Sequence, residues 1–536
     1  MSTNPNTDLF QRAEQLSRQC NAKAWEISAA IKLQVKSGNE SGPNKTARIL
    51  FGELVELRKE LSREIDSIQQ RAGISESEIQ QLEDWEANRV PKGSEFWQRE
   101  ILQLRETEDL DSLVESGLDK LLEITDQIWL REEAKKNYRL GSTFVGRPLH
   151  LVNGVRVGVG SDLPTPQRFA NMLLVSEDHI QKNDHLDFHA AAAFVPEIAA
   201  LGNSLDEIRE LGPEAEKKLR ALPSMPDDMV TSTIFELLVG AACIRHGLKV
   251  RMLEENHTHK SPDFRVEDLP IPCAIECKRR LGLTMYELTE ANLVEQLYLE
   301  IRKPLLKRGI HSIIELSFSD PVHSIPREKV VETVVEVALE NRNAETFATE
   351  WGTLAVRRVP FWSAIDATRL YSPDFLKQVF RWEPAQSDWD GLVCEVEDPS
   401  GVIVERAKSP LCLKWRSESA EALTKKARGI TSLWAKAVKQ IPDGEVGFVY
   451  IAYPEGARQP LADARTSYIV EYMGKNLWHR WSVLIPVTVV IRLYARAVGA
   501  GCPDLIENAL AGAQTGEEFW LKLFPSRVFT WPCEQR

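Results

Sequence analysis

The sequence predicts a multidomain α+β protein, and three observations predict it. Leu50, Leu54, Leu57 and Leu61 recur at helical spacing, inside a stretch (residues 8–140) whose apolar positions are separated by Glu and Lys. The texture changes near Gly141, where short β-like runs and turn residues begin. From Ser232 onward, apolar strands alternate with amphipathic helices. The 536 residues leave room for about three domains, at roughly 100–200 residues each.

Composition narrows the function classes. Hydrophobic residues make up 43% and charged residues 27%, the balance of a globular chain. The net charge of −13 excludes a histone-like electrostatic binder and leaves a local basic cleft open. The eight cysteines (Cys20, Cys243, Cys273, Cys277, Cys394, Cys412, Cys502 and Cys533) form no C-x-x-C pair. They read as free buried thiols of a reducing compartment rather than zinc ligands. The N-terminus lacks the basic-then-apolar layout of a secretory signal. The most apolar run, residues 482–498, contains Pro486, Arg492 and Arg496, so it reads as a buried strand and not a membrane span. A cytoplasmic protein with no membrane partner is the expectation.

The elements follow in order. Residues 1–140 read as a helical bundle or coiled-coil-like module, broken at Gly42 and Pro43, Gly73 and Pro91. Its 20 Lys and Arg against 26 Asp and Glu favour packing over nucleic-acid binding, so it is the expected surface for a homo-oligomer or a partner protein. Residues 141–228 form a small mixed region and linker. Asn153 and Gly154 both tolerate φ > 0 and predict a hairpin between Leu149–Val152 and the run at 155–159. Residues 229–320 read as a compact α/β unit: a helix over 232–246 ended by Gly247, strands at 248–253, 263–266 and 274–279, a helix over 285–307 and a strand at 311–318. Residues 321–536 are a C-terminal mixed α/β region. In it, strands at 392–396, 402–405 and 411–415, a helix over 420–440 and a strand at 447–452 repeat the order of the earlier unit. A degenerate duplication and chance alternation both produce such a repeat.

The stretch with chemical content is Ser261-Pro262-Asp263-Phe264 followed by Ala274-Ile275-Glu276-Cys277-Lys278. Strand alternation places Glu276 and Lys278 on one face and Ile275 and Cys277 on the other. Asp263 begins the preceding strand, and the short connection makes the two strands neighbours. Two hard carboxylates suit Mg²⁺, which takes oxygen ligands, and the lysine beside them suits a role at an attacking water. Glu236 lies amid Ile234, Phe235, Leu237 and Leu238, where a charge is costly unless it faces a site.

These residues resemble the PD-(D/E)xK nuclease superfamily, over residues of about 230–320 only. The resemblance implies a restriction-endonuclease-like α/β core, with Asp263 and Glu276 as metal ligands, Lys278 as the catalytic lysine and Glu236 as an assisting acid. It also implies Mg²⁺, replaceable by Mn²⁺, and hydrolysis of a phosphodiester bond, of DNA before RNA, leaving a 5′-phosphate. Gln296, on the helix after the motif, takes the place of the polar residue some members carry there. A bacterial antiviral-defence or genome-maintenance effector is the role such an architecture implies. The alternative is a non-catalytic nucleic-acid-binding or assembly protein on a nuclease-like scaffold.

Local charge fits a polyanion. Arg279 and Arg280 follow the motif, and a second basic run holds Lys425, Lys426 and Arg428, with Trp415 and Trp434 interleaved. Other motifs are set aside. Gly38 to Thr46 has the wrong spacing for a phosphate loop, and His257 with His259 reads as an exposed turn. A second Ser-Pro-Asp-Phe, at 372–375, lacks a following E-x-K and reads as a helix start with Ser372 as cap and Pro373 at the first position.

Overall fold

In a computed structural model of the chain, the described residues are 15, 19, 53, 60, 110–136, 148–152, 155–156, 166–183, 186–255, 261–269, 272–280, 282–340, 345–383, 388–397, 403–442, 445–456, 458–476, 484–498, 502–513 and 524–529. The leucine periodicity at 50–61, the runs at 75–87 and 95–106, Gly38 to Thr46 and the His257/His259 pair lie outside them, apart from isolated helical positions.

Helices α1 (Leu110–Ile124) and α2 (Gln127–Ala134) come first, and Asp126 caps α2 by accepting from the Ile128 and Trp129 N–H groups. The expected hairpin follows as β1 (Leu149–Val152) and β2 (Val155–Arg156). Five helices then gather: α3 (Arg168–Ile180), α4 (Phe188–Gly202), α5 (Leu205–Glu210), α6 (Pro213–Ala221) and α7 (Asp227–Arg245). At the end of the stretch read as a small mixed region and linker (141–228), residues 222–228 hold a 3₁₀ turn at Leu222–Ser224 and the start of α7. Leu222 is buried, which a linker residue would not be. Gly247, at φ 91°, ends α7 as its freedom in the left-handed region predicts.

Next come β3 (Val250–Met252), β4 (Phe264–Val266), β5 (Cys273–Arg279), α8 (Met285–Lys307) and β6 (Ser312–Phe318). Thr284 and Glu287 form a capping box at the start of α8. The chain continues through α9 (Arg327–Glu340), β7 (Thr346–Thr349), β8 (Gly352–Arg358), β9 (Trp362–Arg369) and α10 (Pro373–Phe380). Ser372 caps α10 and Pro373 opens it, as expected. The last elements are β10 (Gly391–Glu395), β11 (Ile403–Lys408), β12 (Leu411–Ser417), α11 (Ala420–Val438), β13 (Val446–Pro454), α12 (Gln459–Asn476), β14 (Leu484–Val498) and β15 (Cys502–Ala513). The apolar run expected at 482–498 is thus a strand over its described residues, β14. Among the described residues no helix is long and apolar enough to cross a membrane.

The strands form two large sheets and a ribbon. One sheet runs β15-β14-β13-β5-β4-β3, the other β2-β1-β10-β12-β6-β8-β7, and β9 pairs with β11 apart from both. The sheets are interlocked by exchanged crossovers. From β5 the chain runs through α8 to β6, which pairs in parallel with β12 of the other sheet. From β12 it runs through α11 to β13, which returns to pair in parallel with β5. The unit expected over 229–320 is therefore divided between the sheets, and the boundary expected at 320/321 falls inside the interlocked pair. The two crossover helices pass closely at Gly429, where a Cβ would lie 2.8 Å from Thr284 Cγ2.

This exchange makes β5 a central strand with both faces covered. Cys273, Ile275 and Cys277 join a core with Ile234, Phe235 and Leu238 of α7. Ala274 faces a second core with Ile430 and Trp434 of α11. Burying side chains such as Phe235 and Ile275 contributes about 1.5–3 kcal/mol each, which holds β5 and the start of β4 in place.

Candidate active site

β4 starts at Phe264, paired with Ile275, so Asp263 stands opposite Glu276 in the continued register. Beyond that point β5 has no strand neighbour on this side among the described residues. A main-chain N–H left there must find another acceptor. The Cys277 N–H donates to Asp263 Oδ2 at 2.7 Å, and the Asp263 N–H donates to Glu276 Oε2 at 3.2 Å. Lys278, on the same face as Glu276, donates to Glu276 Oε1. The end of a short strand thus brings together the three residues of the sequence motif.

Glu236 reaches the cluster from α7, as its place among buried apolar residues predicts. Its partner is Lys218 of α6, whose ammonium donates to Glu236 Oε2 at 2.9 Å and lies 2.9 Å from Glu255 Oε1. Lys218 and Glu255 have no motif spacing to reveal them. Lys218 falls in the ordinary helical run Glu214-Ala215-Glu216-Lys217-Lys218, and only the fold turns it toward Glu236.

The electrostatics follow from four carboxylates and two ammoniums in one place. Burial first, and then Asp263, raise Glu236 to about 7. Burial raises Asp263, although Lys278 opposes it. Burial, with the charge of Asp263 added, raises Glu276 well above the ordinary range, and Glu276 has no exposed surface. Burial would lower Lys278, but Glu276 and Asp263 outweigh it, so its ammonium is held more firmly than usual. Lys218 is raised in the same way by Glu236, Glu255 and Asp263 against its burial. With every group ionised the cluster carries an excess of two negative charges.

That excess is the charge of one divalent cation, and carboxylate oxygens are the donors a hard cation takes. The donor set fits Mg²⁺ or Mn²⁺ in chemistry: Asp263, Glu276 and Glu236 destabilise one another's charge, and a cation would relieve this. Among the described residues no three such side chains converge as a preformed ion site. Lys218 and Lys278 instead engage the carboxylates and supply part of the missing positive charge.

The repeated element order of the second half has a counterpart in register. Gly391 pairs with Trp415, so Asp390 stands opposite Arg416 as Asp263 stands opposite Glu276. Ser417 N–H donates to Asp390 Oδ2 at 2.8 Å, as Cys277 does to Asp263. The acid–lysine pair Glu276 and Lys278 has its match in Arg416 and Glu418, 2.9 Å apart with the charges reversed. Asp390 itself is held by Lys426 at 2.9 Å and Arg458 at 2.8 Å. One strand-pair design therefore carries two different side-chain sets. The backbone alone does not require an acid–acid–lysine cluster.

Several expected nucleic-acid contacts lie elsewhere. Lys426 is 1% exposed and sits between Asp390 and Glu290. Trp415 and Trp434 are buried, so neither is a stacking platform. Arg279 pairs with Glu197 and lies over the Phe529 ring at 5.6 Å, while Arg280 pairs with Glu287 at 2.7 Å. Gln296 accepts from Arg327 on the surface of α8. Lys425 is half-buried and paired with Glu421 at 2.6 Å, and Arg428 is exposed. A charge run on a helix does not show which of its cations turn inward, and here Lys426 does. Cys243, Cys273, Cys277, Cys394 and Cys412 are free and buried, as expected. No protein-family model matches this chain, and no curated protein or solved structure is significantly similar to it.

Proposed function

We propose that the chain is a metal-dependent nuclease that hydrolyses phosphodiester bonds, with DNA as the substrate class and the Asp263 cluster as its centre. The observation that carries this reading is the placement of Asp263, Glu276 and Lys278 together where β4 begins, in a strand-pair design that elsewhere carries Arg416 and Glu418 instead. Asp263, Glu276 and Glu236 would hold a divalent cation, which when bound supplies polarisation of a phosphoryl oxygen and charge neutralisation. Lys278 is a protonated donor at neutral pH, so its work is to orient the attacking water and stabilise negative charge rather than to accept a proton. Lys218 fixes Glu236 from behind. A role in antiviral defence or genome maintenance belongs to the same proposal and rests on the sequence resemblance alone.

The second reading is a non-catalytic nucleic-acid-binding or assembly protein. The direct pairing of Lys218 and Lys278 with the carboxylates favours it, since ion pairs of this kind also serve as structure. Cleavage of labelled single- and double-stranded DNA and RNA in Mg²⁺, Mn²⁺ or EDTA separates the two. The nuclease reading expects cutting that EDTA and Asp263→Asn both abolish. A folded wild type that binds neither metal nor any of these substrates productively sinks it.

A further inference from the structure

The sheet that does not hold Asp263 carries unmatched positive charge on one face. Lys414 of β12 pairs in register with Glu315 of β6, and Arg357 of β8 pairs with Ile313, two residues along β6. Period-two alternation therefore places Lys414, Glu315 and Arg357 on one face. Arg381, the residue that ends α10, reaches the same place, since its carbonyl accepts from the Lys414 ammonium at 3.1 Å. Lys414 is buried and already has Glu315, 3.3 Å away. Among the described residues Arg357 and Arg381 have no carboxylate partner. Arg416, on the same face of β12, differs in having both Asp388 and Glu418.

The cost of this arrangement falls on Arg357. It is half-buried, and its Nε and Nη2 have lost water without gaining a hydrogen bond. Burial first, and then the like charge of Arg381, pull its guanidinium below the usual range, with Glu315 opposing. Arg381 is exposed and stands at φ 50°, in a left-handed helix cap that Gly or Asn usually fills. Such strain is kept where the side chain has work to do. The three cations Arg357, Arg381 and Lys414 face the one carboxylate of Glu315, an excess of two positive charges in a chain of net charge −13. One carboxylate from outside would meet half of that excess. A phosphate dianion, or two successive phosphates of a nucleic-acid backbone, would meet all of it. The planar fork of a guanidinium also matches phosphate oxygens.

We propose that Arg357 and Arg381 form a phosphate-binding site, filled either by the backbone of a nucleic-acid strand or by free phosphate. The shared chemistry is a phosphoryl oxyanion held between two guanidinium groups, with Lys414 and Glu315 fixed behind them. The inference goes beyond the nuclease reading and does not depend on it.

The test uses the full-length protein in EDTA, as wild type, Arg357→Met and Arg381→Gly. Arg381→Gly suits the left-handed backbone and keeps the carbonyl that Lys414 uses. Two readouts are taken: affinity for labelled single- and double-stranded DNA across a salt series, and Tm in chloride against inorganic phosphate at equal ionic strength. In chloride both variants should melt at or above the wild-type Tm, because each removes a charge that has no partner. Each should weaken DNA binding by about threefold or more and lower the salt slope by about one, the signature of one lost phosphate contact. If DNA binding is unchanged but phosphate raises the Tm of the wild type and not of the variants, the site takes free phosphate and the proposal stands. It is overturned if neither variant alters DNA binding or the response to phosphate, or if the wild type shows neither. An Arg357→Met that melts well below wild type in chloride also overturns it, since that guanidinium would then be satisfied within the fold. Because metal is absent throughout, the outcome is independent of whether the chain cleaves nucleic acid.

Discussion

Lys218 donates to Glu236 across 2.9 Å, from a helix that no part of the recognisable motif includes. The pair is nearly closed to solvent, with side-chain exposures of 9% and 15%. Removing one member of a buried pair strands the other charge, which costs about 3–5 kcal/mol. Lys218→Met should therefore destabilise the protein by about 3 kcal/mol, read by urea unfolding. Adding Glu236→Gln to it should restore part of the loss. A double variant as unstable as Lys218→Met alone would contradict the pairing.

The same cluster sets a pH dependence. Glu236 lies at about 7 when folded against an ordinary 4.5, through burial and then Asp263. A folded value above the unfolded one means that its contribution to stability is complete below the unfolded value and is lost as pH rises through the folded one. The metal-free protein should thus lose thermal stability from about pH 5 to about pH 7.5. Glu290 and Glu507, each raised to about 7, act with the same sign. Glu236→Gln should remove part of the slope, and Mg²⁺ should flatten it by favouring ionised carboxylates. A melting temperature that rises over this range would contradict the assignment.

Two sets of basic residues should behave oppositely. Lys426 lies between Asp390 and Glu290, and Arg279 pairs with Glu197 and also donates to the Thr231 carbonyl at 3.2 Å. Lys426→Met should cost about 3–5 kcal/mol of stability, and Arg279→Ala should also act on stability. Arg428 is exposed, so Arg428→Ala should change stability by less than about 0.5 kcal/mol. Its effect should appear, if anywhere, in the salt dependence of oligonucleotide binding. Chemical denaturation of the three variants checks the ordering, and an unstable Arg428→Ala beside a stable Lys426→Met would reverse it.

The local features were legible because local chemistry sets them. Ser372 and Pro373 start a helix, Gly247 ends one, and the period-two pattern of 274–279 makes a strand wherever the chain goes. Asp263, Glu276 and Lys278 meet because the two strands are adjacent in sequence. The exchange of β6 and β13 was not legible, since a buried parallel strand shows the same apolar run whichever sheet it joins. For the same reason the compact unit expected before residue 320 is split. Lys218 and Glu255 were invisible because long-range packing, not spacing, brings them to Glu236. Trp415, Trp434 and Lys426 misled because composition along a helix or strand does not tell an inward face from an outward one until its neighbours are known.

The most direct test of the central claim is single-turnover cleavage by wild type and Lys278→Met, with metal affinity measured on both. The account predicts that the variant folds, still binds Mg²⁺ and cuts about 100- to 1,000-fold more slowly, the loss expected when a group that stabilises charge at the reacting phosphate is removed. Cleavage at the wild-type rate by Lys278→Met would contradict it and remove the Asp263 cluster from the chemistry.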